Sequence, residues 1–156
     1  MYRPRIEALA CKHECLKGRV EFLGQLRGGG AVREVLDCSH IFVLPSRQEG
    51  LPRAVLEAMA RGLPCIGSDV GGFSEILPPD AIVPPNRHRE LAGCMLRLAT
   101  DPRRLAEMSA LNLRRAADFG AADLAVRQNA FYETVRQHFT EFWNPASSLR
   151  AEERAA

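Results

Sequence analysis

The sequence predicts an α/β domain built on a parallel sheet, on three observations. Short apolar runs alternate with helix-length segments through residue 83, the pattern of strands joined by crossover helices. Each run closes on Gly, Pro or Asp, the residues that punctuate strand ends. From residue 87 onward the periodicity is helical, so the C-terminal third is read as helices rather than further strands.

The elements follow in order. Residues 4–16 read as a helix with Ile6, Leu9, Ala10 and Leu16 on one stripe. Residues 19–23 read as a short strand ended by Gly24, and the Gly28-Gly29-Gly30 run is loop. Residues 31–38 form a short helix. At 41–44, four apolar residues stopped by Pro45 predict a strand buried on both faces. Pro52 opens a helix and Gly62 ends it near residue 61. Residues 63–68 form the next strand, followed by Asp69 and the Gly71-Gly72 pair, and residues 81–83 a last weak one. Three helices complete the chain at 87–99, 102–119 and 121–143. The second is capped by Asp101 with Pro102 at its first position. The third carries Leu124, Phe131, Val135, Phe139 and Phe142 as a stripe that reads as core or as a face for a partner domain. One partial domain over residues 1–143 and a polar tail over 144–156 is the expected organisation.

Composition excludes several classes. The 156 residues include 21 Lys and Arg against 19 Asp and Glu, a net charge of +2. That is too balanced for a nucleic-acid coat. No apolar run reaches membrane-span length, and the basic start lacks the apolar stretch of a signal peptide. Five scattered cysteines fit a reduced cytoplasmic protein with buried thiols. Cys11, His13 and Cys15 suggest a metal only superficially: helical positions two apart diverge and no second ligand pair exists, so no metal is expected.

Ligands of parallel sheets sit beyond the C-terminal strand ends, which directs attention to loops 24–30, 46–52 and 69–74. In the second, Glu49 precedes a helix N-terminus, Gly50 lets backbone approach a ligand, and the first helical amides face the crevice, an anion site by dipole and free N–H groups. Glu57 stands among Ala54, Val55, Leu56, Ala58, Met59 and Ala60. A carboxylate there either meets ligand hydroxyls or faces solvent or a backbone amide. Gly71 and Gly72 allow an anion nest or an ordinary turn. His40 adjoins the site or merely packs. His88 and His138 fall on helix surfaces.

The runs Val20-Glu21-Phe22-Leu23-Gly24, Val43-Leu44-Pro45-Ser46-Arg47-Gln48-Glu49-Gly50-Leu51-Pro52, Glu57-Ala58-Met59-Ala60-Arg61-Gly62-Leu63-Pro64 and Ser68-Asp69-Val70-Gly71-Gly72 resemble the C-terminal, donor-binding domain of family 4 (group 1) retaining glycosyltransferases. These have the B-type fold of two Rossmann-like domains. Two Glu eight residues apart are unspecific alone; PS-x-x-EG before the pair and EAMA-x-G-x-P across its second Glu make it specific. The resemblance spans residues 5–142. It implies that Glu49 is the catalytic-site residue, contacting donor sugar hydroxyls near the reacting carbon. Gly50 and Leu51 would offer amides to the sugar or diphosphate, Glu57 would hold the ribose, and Val43 and Leu44 would lie near the base. Ser46, Pro52, Gly71 and Gly72 complete the donor-binding set. The donor would be UDP- or GDP-linked, with no cofactor and no metal. Glycosidases, by contrast, need both carboxylates flanking the scissile bond.

The resemblance also defines what is missing. An acceptor domain, and two opening strands carrying a Gly-Arg and a Lys that grip the diphosphate, are expected upstream of such a domain. In the sheet order 3-2-1-4-5-6 the strand at 20–23 would be the third and that at 41–44 the fourth, with two places empty between. Another chain fills them, or the N-terminal segment pairs directly with 41–44, or the fragment is less ordered. An unpaired strand edge favours self-association or a partner. Two functions are compatible with the motif. One is the donor-binding part of a nucleotide-sugar glycosyltransferase of bacterial polysaccharide or glycolipid assembly, with any membrane association peripheral. The other is a non-catalytic subunit or nucleotide-binding module. A receiver-type domain fits poorly, lacking an acidic cluster at a strand end.

Overall fold

The computed structural model describes residues 3–142, which fall into two compact units divided between Cys38 and Ser39.

The first unit is helical. Helix α1 spans Arg3–Lys12, a single 3-10 turn spans Glu14–Leu16, and α2 spans Gly30–Asp37. The helix expected over 4–16 thus breaks at His13, whose extended backbone (φ −94°, ψ 108°) separates the two pieces. The expected strand at 20–23 is absent: these residues have no regular structure, and Val20 and Leu23 are exposed. A short apolar run becomes a strand only when a neighbour takes up its N–H and C=O groups. Among the described residues of this unit there is no strand to do so. Leu36 is its sole buried apolar residue among those described.

The second unit holds the sheet. Strands β1 (Phe42–Leu44), β2 (Cys65–Ser68) and β3 (Ile82–Val83) lie in that order, all parallel. This is the succession expected for the fourth, fifth and sixth strands. Phe42 pairs with Cys65 and Gly67 with Ile82. Strand β2, central in the sheet, is buried throughout, whereas β1 is half-buried at every residue. The prediction that 41–44 is buried on both faces is therefore corrected: with one hydrogen-bonded neighbour among the described residues, β1 is an edge strand.

Helix α3 (Arg53–Ala60) crosses between β1 and β2. It buries Val55, Ala58 and Met59. Its end is a Schellman motif: Gly62 (φ 73°) donates to Met59 O at 2.9 Å and Leu63 to Ala58 O at 3.0 Å. Helix α4 (Phe73–Ile76) follows β2, and a 3-10 turn at Pro79–Ala81 leads into β3. Beyond β3 come α5 (His88–Ala99), α6 (Pro102–Ala117) and α7 (Ala121–Phe142). Asp101 caps α6 as expected, accepting from Arg104 N at 3.0 Å. Residues 143–156, including the expected tail, lie outside the described residues.

The core is Phe73, Met59, Ile66, Ile76, Leu77 and Val55, all fully buried. Phe73 sits against Gly67, where an added Cβ would come within 2.2 Å of the ring, so the small residue in β2 makes the space for the large one in α4. Helix α6 joins this core through Met108 and Asn112, whose Nδ2 donates to Leu63 O at 2.7 Å. The stripe on α7 does not: Leu124, Phe131, Val135 and Phe139 are exposed, and the Phe142 side chain lies outside the described set. The core reading of that stripe is corrected.

The expected buried thiols are corrected as well. Cys65 and Cys94 are buried, but Cys11, Cys15 and Cys38 are exposed. Burial pushes the Cys65 thiol up to about 12, and desolvation raises Cys94 too, because a thiolate loses its hydration there.

Candidate functional site

The C-terminal ends of the three strands carry the loops singled out in the second unit. The first, 45–52, leaves β1 with Pro45 and enters α3 at Pro52, which is fully buried and sits at the N-cap rather than at the first helical position. Val55 N and Leu56 N both donate to Pro52 O, at 3.0 and 3.3 Å. The N–H groups before them are the helix's unsatisfied first donors.

Glu49 is half-buried in this loop and its carboxylate is held: Ser46 Oγ donates to Oε1 at 2.5 Å. Ser46 thus acts on Glu49, and this bond was not read from the motif, although a hydroxyl three residues before a carboxylate is a spacing at which the two meet.

The second loop, 69–74, packs backbone to backbone on the first. Gly72 N donates to Gly50 O at 2.8 Å. A Cβ on Gly71 (φ 54°) would fall 2.0 Å from Glu49 O, and one on Gly72 would fall 3.0 Å from Gly50 O. The glycine pair is required by the approach of the other loop. Glu49, Gly50, Gly71 and Gly72 are brought together. Leu51 borders them, 3.2 Å from where a Gly72 Cβ would stand, and is exposed.

Glu57 is placed differently from the sequence argument. It lies on the exposed face of α3, opposite Val55, Ala58 and Met59, with no hydrogen bond or ion pair among the described residues. Its carboxylate is free to accept and carries no burial cost, so burial no longer argues for a ligand there. Val43 and Leu44 are half-buried on β1, and His40 is exposed just before it.

Two cavities flank β3. One of about 190 Å³ opens at the strand ends, between Pro45 and Arg47 after β1, Ser68 of β2, and the start of α5. Sequence reasoning did not bring Arg47, Ser68 and Arg87 together, since they share a place only once the strands align. The other, about 620 Å³, lies between β3, α5 and α6, away from both loops. There the Asp80 carboxylate accepts from Arg104, raising the affinity of that guanidinium for its proton.

A family model described as glycosyl transferases group 1 matches residues 2–101. The chain belongs to that family. It is similar, at 32% identity over 104 residues, to the MMP alpha-(1->4)-mannosyltransferase of Mycolicibacterium hassiacum, covering 64% of this chain and 25% of that one. It is 31% identical over 126 residues to the lipopolysaccharide core biosynthesis mannosyltransferase LpsB of Rhizobium meliloti (strain 1021), covering 77% of this chain and 35% of the relative. Among solved structures, sucrose-phosphate synthase from Thermosynechococcus elongatus matches with a TM-score of 0.77 at 28% identity, over 87% of this chain and 35% of that one. This group 1 chain therefore spans about a third or less of the length of these proteins. Among the described residues no helix is long and apolar enough to cross a membrane.

Proposed function

We propose that this group 1 chain is the donor-binding part of a retaining glycosyltransferase, which moves a sugar from a nucleoside diphosphate to an acceptor hydroxyl. The chemistry needs three things: a place for the departing diphosphate's charge, acceptors for the sugar hydroxyls, and acceptors for the ribose. The free first amides of α3 suit the first. Glu49, oriented by Ser46, suits the second, with Gly50 and Leu51 offering backbone N–H groups beside it. Glu57, exposed and unpaired about one turn into α3, suits the third. Val43 and Leu44 border the base, and Gly71 and Gly72 hold the Glu49 loop in place.

The observation that supports this reading most is the Gly72–Gly50 hydrogen bond, which ties the two strand-end loops into one rim bearing a held carboxylate. Electrostatic stabilisation of the leaving group and positioning supply the rate, without a resident metal or cofactor. The names of the relatives, a lipopolysaccharide core enzyme among them, favour polysaccharide or glycolipid assembly, in the cytoplasm where the donors are made. The acceptor is bound by further chain.

Calorimetric titration of UDP, GDP, ADP and their sugar conjugates into the full chain tests the reading. One nucleotide diphosphate should bind, with affinity reduced at least about tenfold by Glu57→Ala, the loss of a charge-assisted hydrogen-bond pair. Glu49→Gln should weaken the sugar conjugate and leave the bare nucleotide unchanged. A folded chain that binds no nucleotide sinks the proposal.

A further inference from the structure

The cavity of about 190 Å³ at the strand ends has a chemistry of its own. Its floor holds Ser68, only 5% exposed, whose hydroxyl has no hydrogen-bond partner among the described residues. That hydroxyl is not sealed from the cavity it lines, so its donor is available to a ligand or water there. The walls supply Arg47 from the loop after β1 and Arg87 and His88 from the start of α5, and no carboxylate among the described residues lines it. Among the described residues the Arg87 side chain pairs with Glu90 alone, at 3.9 Å and well exposed.

The N-terminus of α5 completes the cavity. No side chain caps it, and Asn86 before it takes a left-handed backbone (φ 64°) that turns the chain into the helix. The first amides of a twelve-residue helix, a hydroxyl that faces the cavity without a protein partner, and two guanidiniums, from the loop after β1 and from the N-cap of α5, all present donors and positive charge to one small space.

We infer that this cavity binds a phosphate group. The volume admits a phosphate or a diphosphate and excludes a whole nucleotide sugar, for which sites usually run from about 300 Å³ upward. Ser68 donates to one oxygen, the α5 amides to another, and Arg47 and Arg87 close over the charge from two sides. The site is separate from the α3 N-terminus that the proposed function assigns to the donor. The phosphate belongs either to the donor itself, reaching across the strand ends, or to a second phosphorylated molecule.

Amide NMR of the full chain, titrated with inorganic phosphate and with pyrophosphate, tests this. Saturable shifts should centre on Ser68, His88 and Arg89. The double variant Arg47→Gln/Arg87→Gln should weaken binding at least about tenfold and Ser68→Ala about three- to tenfold, with the remaining spectrum unchanged. Arg103→Gln/Arg114→Gln removes the same charge from exposed positions of α6 and should change little. Absence of saturable shifts in the folded chain, or equal weakening by the α6 control, overturns the inference. UDP and GDP added to the phosphate-loaded chain separate the sources. Competition assigns the phosphate to the donor, and simultaneous binding assigns it to a second molecule. A chain that takes phosphate but no nucleotide refutes the donor reading and leaves this site standing.

Discussion

The two units of the chain start from similar apolar material and end differently. Val20 and Leu23 in the first, and Val43 and Leu44 in the second, both belong to short apolar runs. Only the second run is a strand, because β2 lies beside it and accepts its ladder. The second unit buries fourteen of the fifteen core apolar residues described, and the first buries only Leu36. Local pattern proposes a strand; a hydrogen-bonding neighbour and a large side chain to bury behind it decide whether one forms.

That contrast is sharpest in stability. Phe73→Ala removes a fully buried ring from the second unit and should lower its unfolding free energy by about 3–5 kcal/mol. Leu23→Ala trims an exposed side chain of the first and should change stability by less than about 0.5 kcal/mol. Urea unfolding of both variants, followed by circular dichroism, makes the comparison. A large effect from Leu23→Ala would mean that residues 20–23 are buried in the folded protein.

Glycine gives the second matched pair. Gly29 and Gly71 both have positive φ, at 82° and 54°. At Gly71 an alanine should cost about 1–2 kcal/mol for the left-handed backbone alone, and at Gly29, whose ψ of −110° lies outside that region, at least as much. At Gly29 the new Cβ would meet only the end of Arg33, at 3.8 Å, whereas at Gly71 it would strike Glu49 O at 2.0 Å. Gly71→Ala should therefore cost at least about 2 kcal/mol and also displace the Glu49 loop, weakening nucleotide-sugar binding. Gly29→Ala should leave binding unchanged.

Much of the second unit was legible in the sequence, for identifiable reasons. Pro45, Pro52, Gly62, Asp101 and Pro102 mark boundaries by local chemistry, and local chemistry is what a single sequence carries. The family motif singled out Glu49 and Glu57; the fold puts Glu49 at the rim of the strand ends and Glu57 on the exposed face of α3. The failures have one cause, dependence on neighbours. The strand at 20–23 needed a partner strand, the burial of 41–44 needed a second one, and the α7 stripe needed a surface to cover it. The Ser46–Glu49 bond and the Gly71–Glu49 contact differ in legibility. The first joins residues three apart; the second joins residues twenty-two apart, which only the fold makes adjacent.

The thiols offer a third test. Cys65 has its pKa raised by burial from 9.0 to about 12, while Cys38 in the first unit is exposed. A raised folded-state pKa means the unfolded chain loses its proton first. The contribution is intact below pH 9 and is lost as pH rises from 9 toward 12, at about 1.4 kcal/mol per pH unit at most. The alkaline arm of the stability curve should flatten in Cys65→Val and stay unchanged in Cys38→Ser. Thiol labelling at about pH 8 should modify Cys11, Cys15 and Cys38 quickly, and Cys65 and Cys94 only on unfolding.

The ion pairs give the smallest difference. Glu14–Lys17 in the first unit is a 3.5 Å pair between side chains 87% and 69% exposed, and water screens it almost fully. Asp80–Arg104 in the second joins the turn before β3 to α6, and the arginine is two-thirds covered. Arg104 also reaches Glu107 at 3.4 Å, so removing Asp80 leaves it a partner. Asp80→Asn should therefore cost between about 0.3 and 1 kcal/mol, falling toward zero in about 1 M salt, and Glu14→Gln nothing measurable. A loss above about 2 kcal/mol from Asp80→Asn would exceed what such a screened pair supplies and show that the pair pins β3 against α6. The contrast between the units would then extend from apolar burial to charge.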